Sequence, residues 1–244
     1  MIQNTFSFID GVSQNSELKI KEAGIDNWDD FLEQHHELDC LPQSKLDKIK
    51  TELFFAKQAH QEKDLNYFKQ KVPLNEHWKL KDLGKIAYVD IETTGLSRWS
   101  HEITTIGIYD GIEPKVYIQG KDLSDAYEKL QEYDIIVTFN GKQFDMPFIE
   151  HHGKQKYDLI HLDLRFLLKE LGFAGGLKKI EIELGITRPD ELEGVDGYEA
   201  VRLWRRYIKG DLSALEKLVK YNISDIVNLE ELLNYYIREK TKIN

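Results

Sequence analysis

The chain has 244 residues, of which 41% are hydrophobic and 31% are charged, and its formal net charge is −10. This composition is typical of a soluble globular protein and excludes a disordered or membrane-embedded chain. The negative charge disfavours a protein that binds nucleic acid tightly without sequence preference, but it allows an enzyme with acidic active-site residues.

The single cysteine, Cys40, excludes an internal disulfide and a cysteine-based zinc cluster. The longest apolar runs are only as long as a strand, so the sequence predicts no membrane-spanning segment. The N-terminal residues show neither a basic region nor an apolar signal core. These observations predict a cytoplasmic protein.

Residues 1–72 are predicted to form a small helical domain, because apolar residues recur at helical spacing. Ser16 is expected to open one helix and Gly24 to follow its end, and Asp26 or Asn27 is expected to cap the next helix. From Ala56 to Lys85 the chain is polar and charged, and a domain boundary is expected near residues 72 to 84. We interpret residues 73–84 as an extended linker that carries Trp78.

The segment from Phe8 to Leu32 resembles a helix-hairpin-helix unit, in which hairpin amides bind DNA phosphate. Gly11 is present, but Ser13 stands where the pattern has a second glycine. A DNA-binding hairpin and a purely structural helical domain therefore both remain open.

Residues 85–244 are predicted to form an α/β domain with a mixed five-stranded sheet flanked by helices. The expected strands cover residues 86–91, 102–109, 115–118, 134–139 and 157–162. The expected helices cover residues 123–133, a segment starting near 144, 164–171, 177–184, 198–209 and 212–240, the last with a possible break near Lys220.

Two acidic side chains interrupt the first strand where it should be most apolar. Side chains alternate along a strand, so Asp90 and Glu92 share one face while Val89 and Ile91 share the other. Two like charges so close together are tolerated when a divalent cation neutralises them. The alternative is an edge strand whose acids face water.

Further acids are expected beside this pair. Asp145 follows the fourth strand and begins a helix, near the crevice where ligands collect in open α/β sheets. Tyr221 and Asp225 are i, i+4 neighbours, so a phenol and a carboxylate lie on one helix face.

The three motifs together resemble those of the tyrosine subclass of the DEDD superfamily of 3′–5′ exonucleases, which has a ribonuclease H-like fold. That family has Asp-x-Glu on its first strand, Asn-x-x-x-Phe-Asp after its fourth strand, and Tyr-x-x-x-Asp on a late helix. The chain has these motifs in the same order, as Asp90/Glu92, Asn140/Phe144/Asp145 and Tyr221/Asp225. The layout, over about residues 86 to 236, is most similar to the YprB-like family of predicted exonucleases.

The resemblance implies a nuclease that hydrolyses phosphodiester bonds with two Mg²⁺ or Mn²⁺ ions, acting as a 3′–5′ exonuclease on single-stranded ends. It implies that Asp90 bridges both ions, that Glu92 and Asp225 complete one ion's shell, and that Asp145 holds the other ion through water. It implies that Tyr221 orients the attacking water. Hard cations prefer such oxygen ligands, and paired ions stabilise both the attacking and the leaving oxygen.

The resemblance also implies that Thr93, Thr94, Gly95 and Leu96 hold the terminal nucleotide, although Gly95 could simply form a turn. Asn140 is expected either to cap the helix that carries Asp145 or to contact the substrate.

Several basic residues could form a nucleic-acid track or a solvated helix face: Lys142, Lys154, Lys156, Arg165, Lys178, Lys179, Arg202, Arg205 and Arg206. His151, His152 and His161 are interpreted as surface or packing residues. DNA and RNA both remain open as substrates, with the degenerate hairpin slightly favouring DNA, and internal cutting also remains open. The rival hypothesis is a catalytically silent nucleic-acid-binding or scaffolding module on the same fold.

Overall fold

The computed structural model describes residues 1–192 and 197–243. The chain divides into two compact units, Met1–Gly84 and Lys85–Asn244.

The first unit is helical, as its apolar spacing predicts. Its α-helices are α1 (Gln14–Glu22), α2 (Trp28–Gln34), α3 (Gln43–Gln61) and α4 (Leu65–Lys71), and shorter 3₁₀ segments cover Ile2–Asn4, His35–Glu37 and Leu74–Leu80. Asn27 caps α2 by accepting hydrogen bonds from two backbone N–H groups. Helix α1 begins two residues before the expected Ser16, because the Ser13 side chain caps it.

Aromatic rings form the centre of this unit. The ring of Trp28 packs against those of Phe8 and Phe68, and its indole N–H donates to the backbone carbonyl of Thr5 over 2.8 Å. The expected extended conformation of residues 73–84 is wrong for residues 74–80, which form a 3₁₀ helix. Trp78 lies there with only 2% of its surface exposed, so burial of its large apolar ring favours a folded segment.

The second unit contains the five strands and the remaining helices of the described residues. The strands are β1 (Ile86–Thr93), β2 (Ile103–Tyr109), β3 (Pro114–Ile118), β4 (Ile135–Thr138) and β5 (Ile160–Asp163). The helices are α5 (Leu123–Lys129), α6 (Asp145–Gly153), α7 (Leu164–Glu170), α8 (Leu177–Leu184), α9 (Gly197–Ile208) and α10 (Leu212–Ile243).

The strands form one mixed sheet in the order β3-β2-β1-β4-β5. β1 to β3 are antiparallel, whereas β4 and β5 run parallel to β1. The predicted α/β fold with a mixed five-stranded sheet flanked by helices is thereby confirmed. Because β1 lies at the centre of the sheet, its acidic residues are not on an edge strand; Glu92 is buried and Asp90 is half-buried.

Helix α10 packs across β1 and β2 and determines what faces Asp90. Gly107 of β2 is paired with Asp90 in the sheet, and a Cβ at this glycine would lie 2.6 Å from Oδ1 of Asn222. The missing side chain lets the helix approach the sheet closely. The possible break near Lys220 is absent, because α10 is continuous through this position.

Among the residues that the structure describes, no helix combines the length and the apolar character needed to cross a bilayer.

Candidate metal centre

Three carboxylates from two elements meet at the centre of the sheet. Asp90 and Glu92 come from β1 and Asp225 comes from α10, and each offers one oxygen such that all three oxygens lie within 4.8 Å of one another. Glu92 and Asp225 are only 8% and 3% exposed. The alternation of side chains along β1 therefore places Asp90 and Glu92 together, as the sequence predicts.

Asn222 holds the carboxylate of Asp90 in place. Its side-chain amide donates to Oδ2 of Asp90 over 2.8 Å and reaches the Asp90 carbonyl oxygen at 3.3 Å. Asn222 is completely buried and lies one helical turn from Asp225. One face of α10 thus supplies both an acid of the cluster and a group that orients another acid.

Asp145 approaches β1 from α6, beyond the end of the ladder that joins β1 to β4. It is 3% exposed and stands at the first position of α6, and its Oδ1 accepts a hydrogen bond from the backbone N–H of Ile91 over 3.1 Å. The ladder between β1 and β4 ends at the pair Tyr88 and Val137, which leaves room for this bond. Asp145 is not one of the three closest acids, but its charge contributes to raising the pKa of both Asp90 and Glu92.

Burial and mutual repulsion make the ionised cluster unfavourable in the absence of a cation. Burial first, and then the charges of neighbouring carboxylates, raise the pKa of Asp90 and of Glu92 well above the ordinary value. Burial raises the pKa of Asp145 to about 7, against the effect of the Ile91 N–H. Burial also raises the pKa of Asp225 to about 6, although the nearby Arg188 lowers it.

A buried cation, Arg188, contacts the cluster. Its Nη2 lies 2.5 Å from Oδ1 of Asp225, and its Nε and Nη2 each donate over 2.7 Å to the carboxylate of Glu181. Glu181 is 1% exposed and also accepts from the side-chain amide of Asn228 over 2.9 Å. Arg188, Glu181 and Asn228 therefore connect the end of α8 to the Asp225 face of α10.

Tyr221 lies on the same face of α10 and is 5% exposed. Burial, followed by the charges of Asp225, Glu92 and Asp90, raises the pKa of its phenol far above the usual value. The phenol is therefore a neutral hydrogen-bond donor at physiological pH. The Nζ of Lys178 lies 4.4 Å from the centre of the Tyr221 ring, so α8 also brings a cation to this face.

The segment that follows Glu92 turns sharply and is held by its own hydrogen bonds. The hydroxyl of Thr93 donates to the carbonyl of Gly95 over 2.7 Å, and the backbone N–H of Thr94 donates to the carbonyl of Glu102 over 2.9 Å. A Cβ at Gly95 would lie 2.3 Å from the ring of His101, so glycine permits this turn. Leu96 is 86% exposed.

The expectation that the Asn140 side chain caps α6 is wrong. Helix α6 has no side-chain cap, and Oδ1 of Asn140 instead accepts a hydrogen bond from Arg165 over 2.6 Å. The physical reason is Asp163 at the end of β5, which accepts from the backbone N–H groups of Asn140 and Lys142. These bonds fix a left-handed backbone at Asn140, with φ of 65°.

Sequence reasoning missed the residues Asn222, Glu181, Asn228, Arg188 and Asp163. A signal existed for some of them. Leu177, Ile180, Glu181 and Leu184 follow the i, i+3, i+4, i+7 spacing of a buried helix face, and Glu181 is the polar residue on that face. Asn222 interrupts the apolar face of α10 in the same way, and a buried polar group predicts a partner.

The donor set fits a hard divalent cation. All the candidate ligand atoms are carboxylate oxygens, which Mg²⁺ and Mn²⁺ prefer. Oxygens in one Mg²⁺ shell lie about 3 to 4 Å apart, as follows from metal–oxygen distances of about 2.1 Å in an octahedron. The oxygens of Asp90, Glu92 and Asp225 therefore need side-chain shifts of only about 1 Å to share an ion.

Comparison with known proteins places the second unit in context. A family model described as the RNase H superfamily matches residues 87–237. No curated protein matches the chain.

Several solved structures resemble the chain at 16% sequence identity. One is a family B DNA polymerase from the archaeon Pyrobaculum calidifontis, with a TM-score of 0.48; the match covers 64% of this chain and 24% of the polymerase. Two are structures of NrnC from Brucella melitensis, one bound to pGG and one with bound Mg²⁺, with TM-scores of 0.43 and 0.42. Each covers 64% of this chain and 75% of NrnC. Classification of the chain rests on the family model.

Proposed function

Since the chain belongs to the RNase H superfamily, we propose that it is a metal-dependent nuclease, a 3′–5′ exonuclease that hydrolyses phosphodiester bonds at single-stranded ends. The observation that carries this proposal is the cluster formed by the half-buried Asp90 and the buried Glu92 and Asp225, with Asp145 bound to the Ile91 N–H of the same strand. The 3′–5′ polarity comes from the resemblance of the three motifs to DEDD exonucleases.

The resemblance to DEDD exonucleases implies a role for each acid. Asp90, Glu92 and Asp225 would hold one Mg²⁺ or Mn²⁺ ion, and Asp90 and Asp145 would hold a second. The bound ions supply Lewis-acid stabilisation of negative charge on the attacking and leaving oxygens. Asn222 keeps the carboxylate of Asp90 in one orientation, and the Ile91 N–H does the same for Asp145.

Tyr221 orients the attacking water in this proposal. Its phenol keeps its proton because the surrounding carboxylates disfavour a further negative charge. A neutral phenol is a poor base but a good hydrogen-bond donor. Replacing Tyr221 by Phe should therefore lower kcat by about a hundredfold, the lower end of the range for loss of one fixed donor, while oligonucleotide affinity stays unchanged.

The proposal is tested by following single-stranded oligonucleotides labelled at the 3′ or the 5′ end, in Mn²⁺ and in EDTA. DNA and RNA of one sequence are assayed side by side. A 5′-labelled substrate should shorten stepwise, and a 3′-labelled substrate should release its label at once. The variant Asp90→Asn should lose at least about a hundredfold in rate, because its side chain no longer carries the charge that holds the ions.

The matched control is Asp125→Asn, which alters an exposed aspartate on α5 and should cut at the wild-type rate. Cleavage of a circular single strand, which has no end, would show that the nuclease cuts internally and would overturn the exonuclease proposal. Binding without metal-dependent cleavage would overturn the enzyme proposal in favour of a silent binding module.

A further inference from the structure

Trp99 differs from the other tryptophans of the chain. Trp28, Trp78 and Trp204 are 1%, 2% and 6% exposed, whereas Trp99 is 73% exposed. A single exposed aromatic residue needs no explanation. Trp99, however, has two partners. The Arg98 guanidinium carbon lies 4.9 Å from the centre of the Trp99 ring, and the ring centres of His151 and Trp99 are 4.5 Å apart.

The segment that carries Trp99 is held in one conformation. The Glu102 N–H donates to the Thr94 hydroxyl over 3.0 Å, and the Thr94 N–H donates back to the carbonyl of Glu102. The backbone N–H of His101 closes a turn onto the carbonyl of Ser97, and the ring of His152 on α6 contacts the carbonyl of His101 at 3.1 Å. An aromatic side chain on a fixed segment is preorganised for binding, because little conformational freedom is lost when a ligand arrives.

The location connects this group to the candidate metal centre. The segment begins directly after Glu92 and Thr93, and it contacts His151 and His152 near the end of α6, whose first residue is Asp145. His151 follows Asp145 by six positions, about 9 Å along the helix axis. A strand with bases stacked at about 3.4 Å spacing covers this distance in about three nucleotides.

We propose that Trp99, Arg98 and His151, here called the Trp99 platform, form a stacking subsite for a nucleobase of the single-stranded substrate, an inference that rests on the proposed nuclease function. Aromatic faces stack with any base, and an adjacent arginine adds a cation–π contact and a charge for the phosphates. The neighbours Ser97 and Ser100 are polar, so the surroundings of Trp99 suit a nucleic-acid strand better than an apolar protein surface.

The first experiment measures binding of fluorescein-labelled oligothymidylate and oligouridylate 8-mers by anisotropy, in Mg²⁺ and in the slow Asp90→Asn background. Adding Trp99→Ala should weaken binding roughly five- to a hundredfold, the range for loss of one base–aromatic stack. Trp99→Phe should stay within about threefold, since it keeps an aromatic face. The matched control is Tyr198→Ala on α9, because Tyr198 is 68% exposed and the Arg202 guanidinium carbon lies 4.8 Å from its ring centre.

The second experiment asks whether the contact is with a base. A series of 8-mers, each with one abasic position, should show one position at which base removal weakens binding. Trp99→Ala should remove this sensitivity, because the two changes delete the two sides of one contact.

The possible outcomes distinguish failure of the Trp99 platform from failure of the nuclease proposal. If the Asp90→Asn parent binds and Trp99→Ala binds equally well, or if Tyr198→Ala weakens binding as much, the platform is overturned and the nuclease proposal stands. If Trp99→Ala weakens binding but base removal at the sensitive position still weakens binding as much as in the parent, the contact is not with a base and the inference is again overturned. If the wild type neither binds nor cuts either 8-mer, the nuclease proposal fails and the platform fails with it.

Discussion

The guanidinium of Arg188 lies 2.5 Å from a carboxylate oxygen of Asp225, the acid that α10 contributes to the candidate metal centre. Glu181 holds Arg188 from the other side through two hydrogen bonds of 2.7 Å. Burial lowers the pKa of Arg188, but the bonds and charges of Glu181 and Asp225 more than offset this effect. A fixed cation therefore partly neutralises Asp225 when no divalent cation does so.

Removing Arg188 should destabilise the protein strongly. Arg188→Gln leaves the buried carboxylates of Glu181 and Asp225 without their cation, and we expect a loss of about 3 to 5 kcal/mol in the free energy of unfolding. The measurement is urea unfolding followed by circular dichroism. Adding Glu181→Gln to this variant should recover much of the loss, because it removes one of the two uncompensated charges.

The control for this prediction is Arg202→Gln, whose side chain is 60% exposed and pairs with Glu199. It should change the free energy of unfolding by less than about 1 kcal/mol. Equal stability of Arg188→Gln and wild type would show that the buried ion pairs do not stabilise the fold.

Asn222 should control metal affinity without binding the metal itself. Asn222→Ala removes the amide that holds Oδ2 of Asp90, and loss of such a supporting bond should weaken Mn²⁺ binding by about ten- to a hundredfold. Isothermal titration calorimetry measures this affinity directly. Asn234→Ala, at an exposed position of the same helix, should bind Mn²⁺ like the wild type. Unchanged affinity in Asn222→Ala would mean that Asp90 keeps its orientation unaided.

Gly107 should be required for the close packing of α10 on the sheet, because it has no side chain between them. In Gly107→Ala the new Cβ would lie 2.6 Å from Oδ1 of Asn222 and 3.0 Å from Cγ2 of Ile226, which pushes α10 away from the sheet. We expect a loss of about 1 to 3 kcal/mol in the free energy of unfolding, together with weaker Mn²⁺ binding. Gly176→Ala is the control, because a Cβ there has no atom within 4 Å. If both variants unfold at the same urea concentration, helix α10 does not depend on this close contact.

The stability of the metal-free protein should depend on pH through Asp145. Its pKa is raised by burial to about 7, from an ordinary value of 3.8, so the folded state holds a proton that the unfolded state has lost between these values. The corresponding contribution to the free energy of unfolding is present below about pH 4 and is lost as the pH rises to about 7. Urea unfolding in EDTA should therefore show a smaller decline with pH for Asp145→Asn than for wild type.

Burial lowers the pKa of His161 to about 3, from an ordinary value of 6.5. This group therefore has the opposite effect to Asp145: it lowers the free energy of unfolding as the pH falls from about 6.5 to about 3. Both proteins contain His161, so the difference between them reports on Asp145. Saturating Mn²⁺ should remove the decline in the wild type, since the ion stabilises the ionised carboxylates. Parallel pH profiles for wild type and Asp145→Asn in EDTA would contradict the prediction.

The elements of the fold were largely predictable because they depend on local patterns. Alternation along β1 predicts that Asp90 and Glu92 share a face, and the i, i+4 spacing predicts the same for Tyr221 and Asp225. The Asn140 side chain was not predictable, because its partner Arg165 is 25 positions away and its backbone is fixed by Asp163. The 3₁₀ helix around Trp78 escaped prediction because burial of that ring overrides a polar local sequence.

The sequence by itself determined which side chains could act as ligands and which face of each strand or helix carries them, since these depend on periodicities of two and 3.6 residues. Only the tertiary structure decided that Arg188 reaches Asp225, that Asn222 holds Asp90, and that Trp99 lies against α6. The contacts of Asn222 and Trp99 join residues 132 and 52 positions apart. The Arg188 contact depends equally on how α8 and α10 pack, because local periodicity does not specify which faces of separate elements meet.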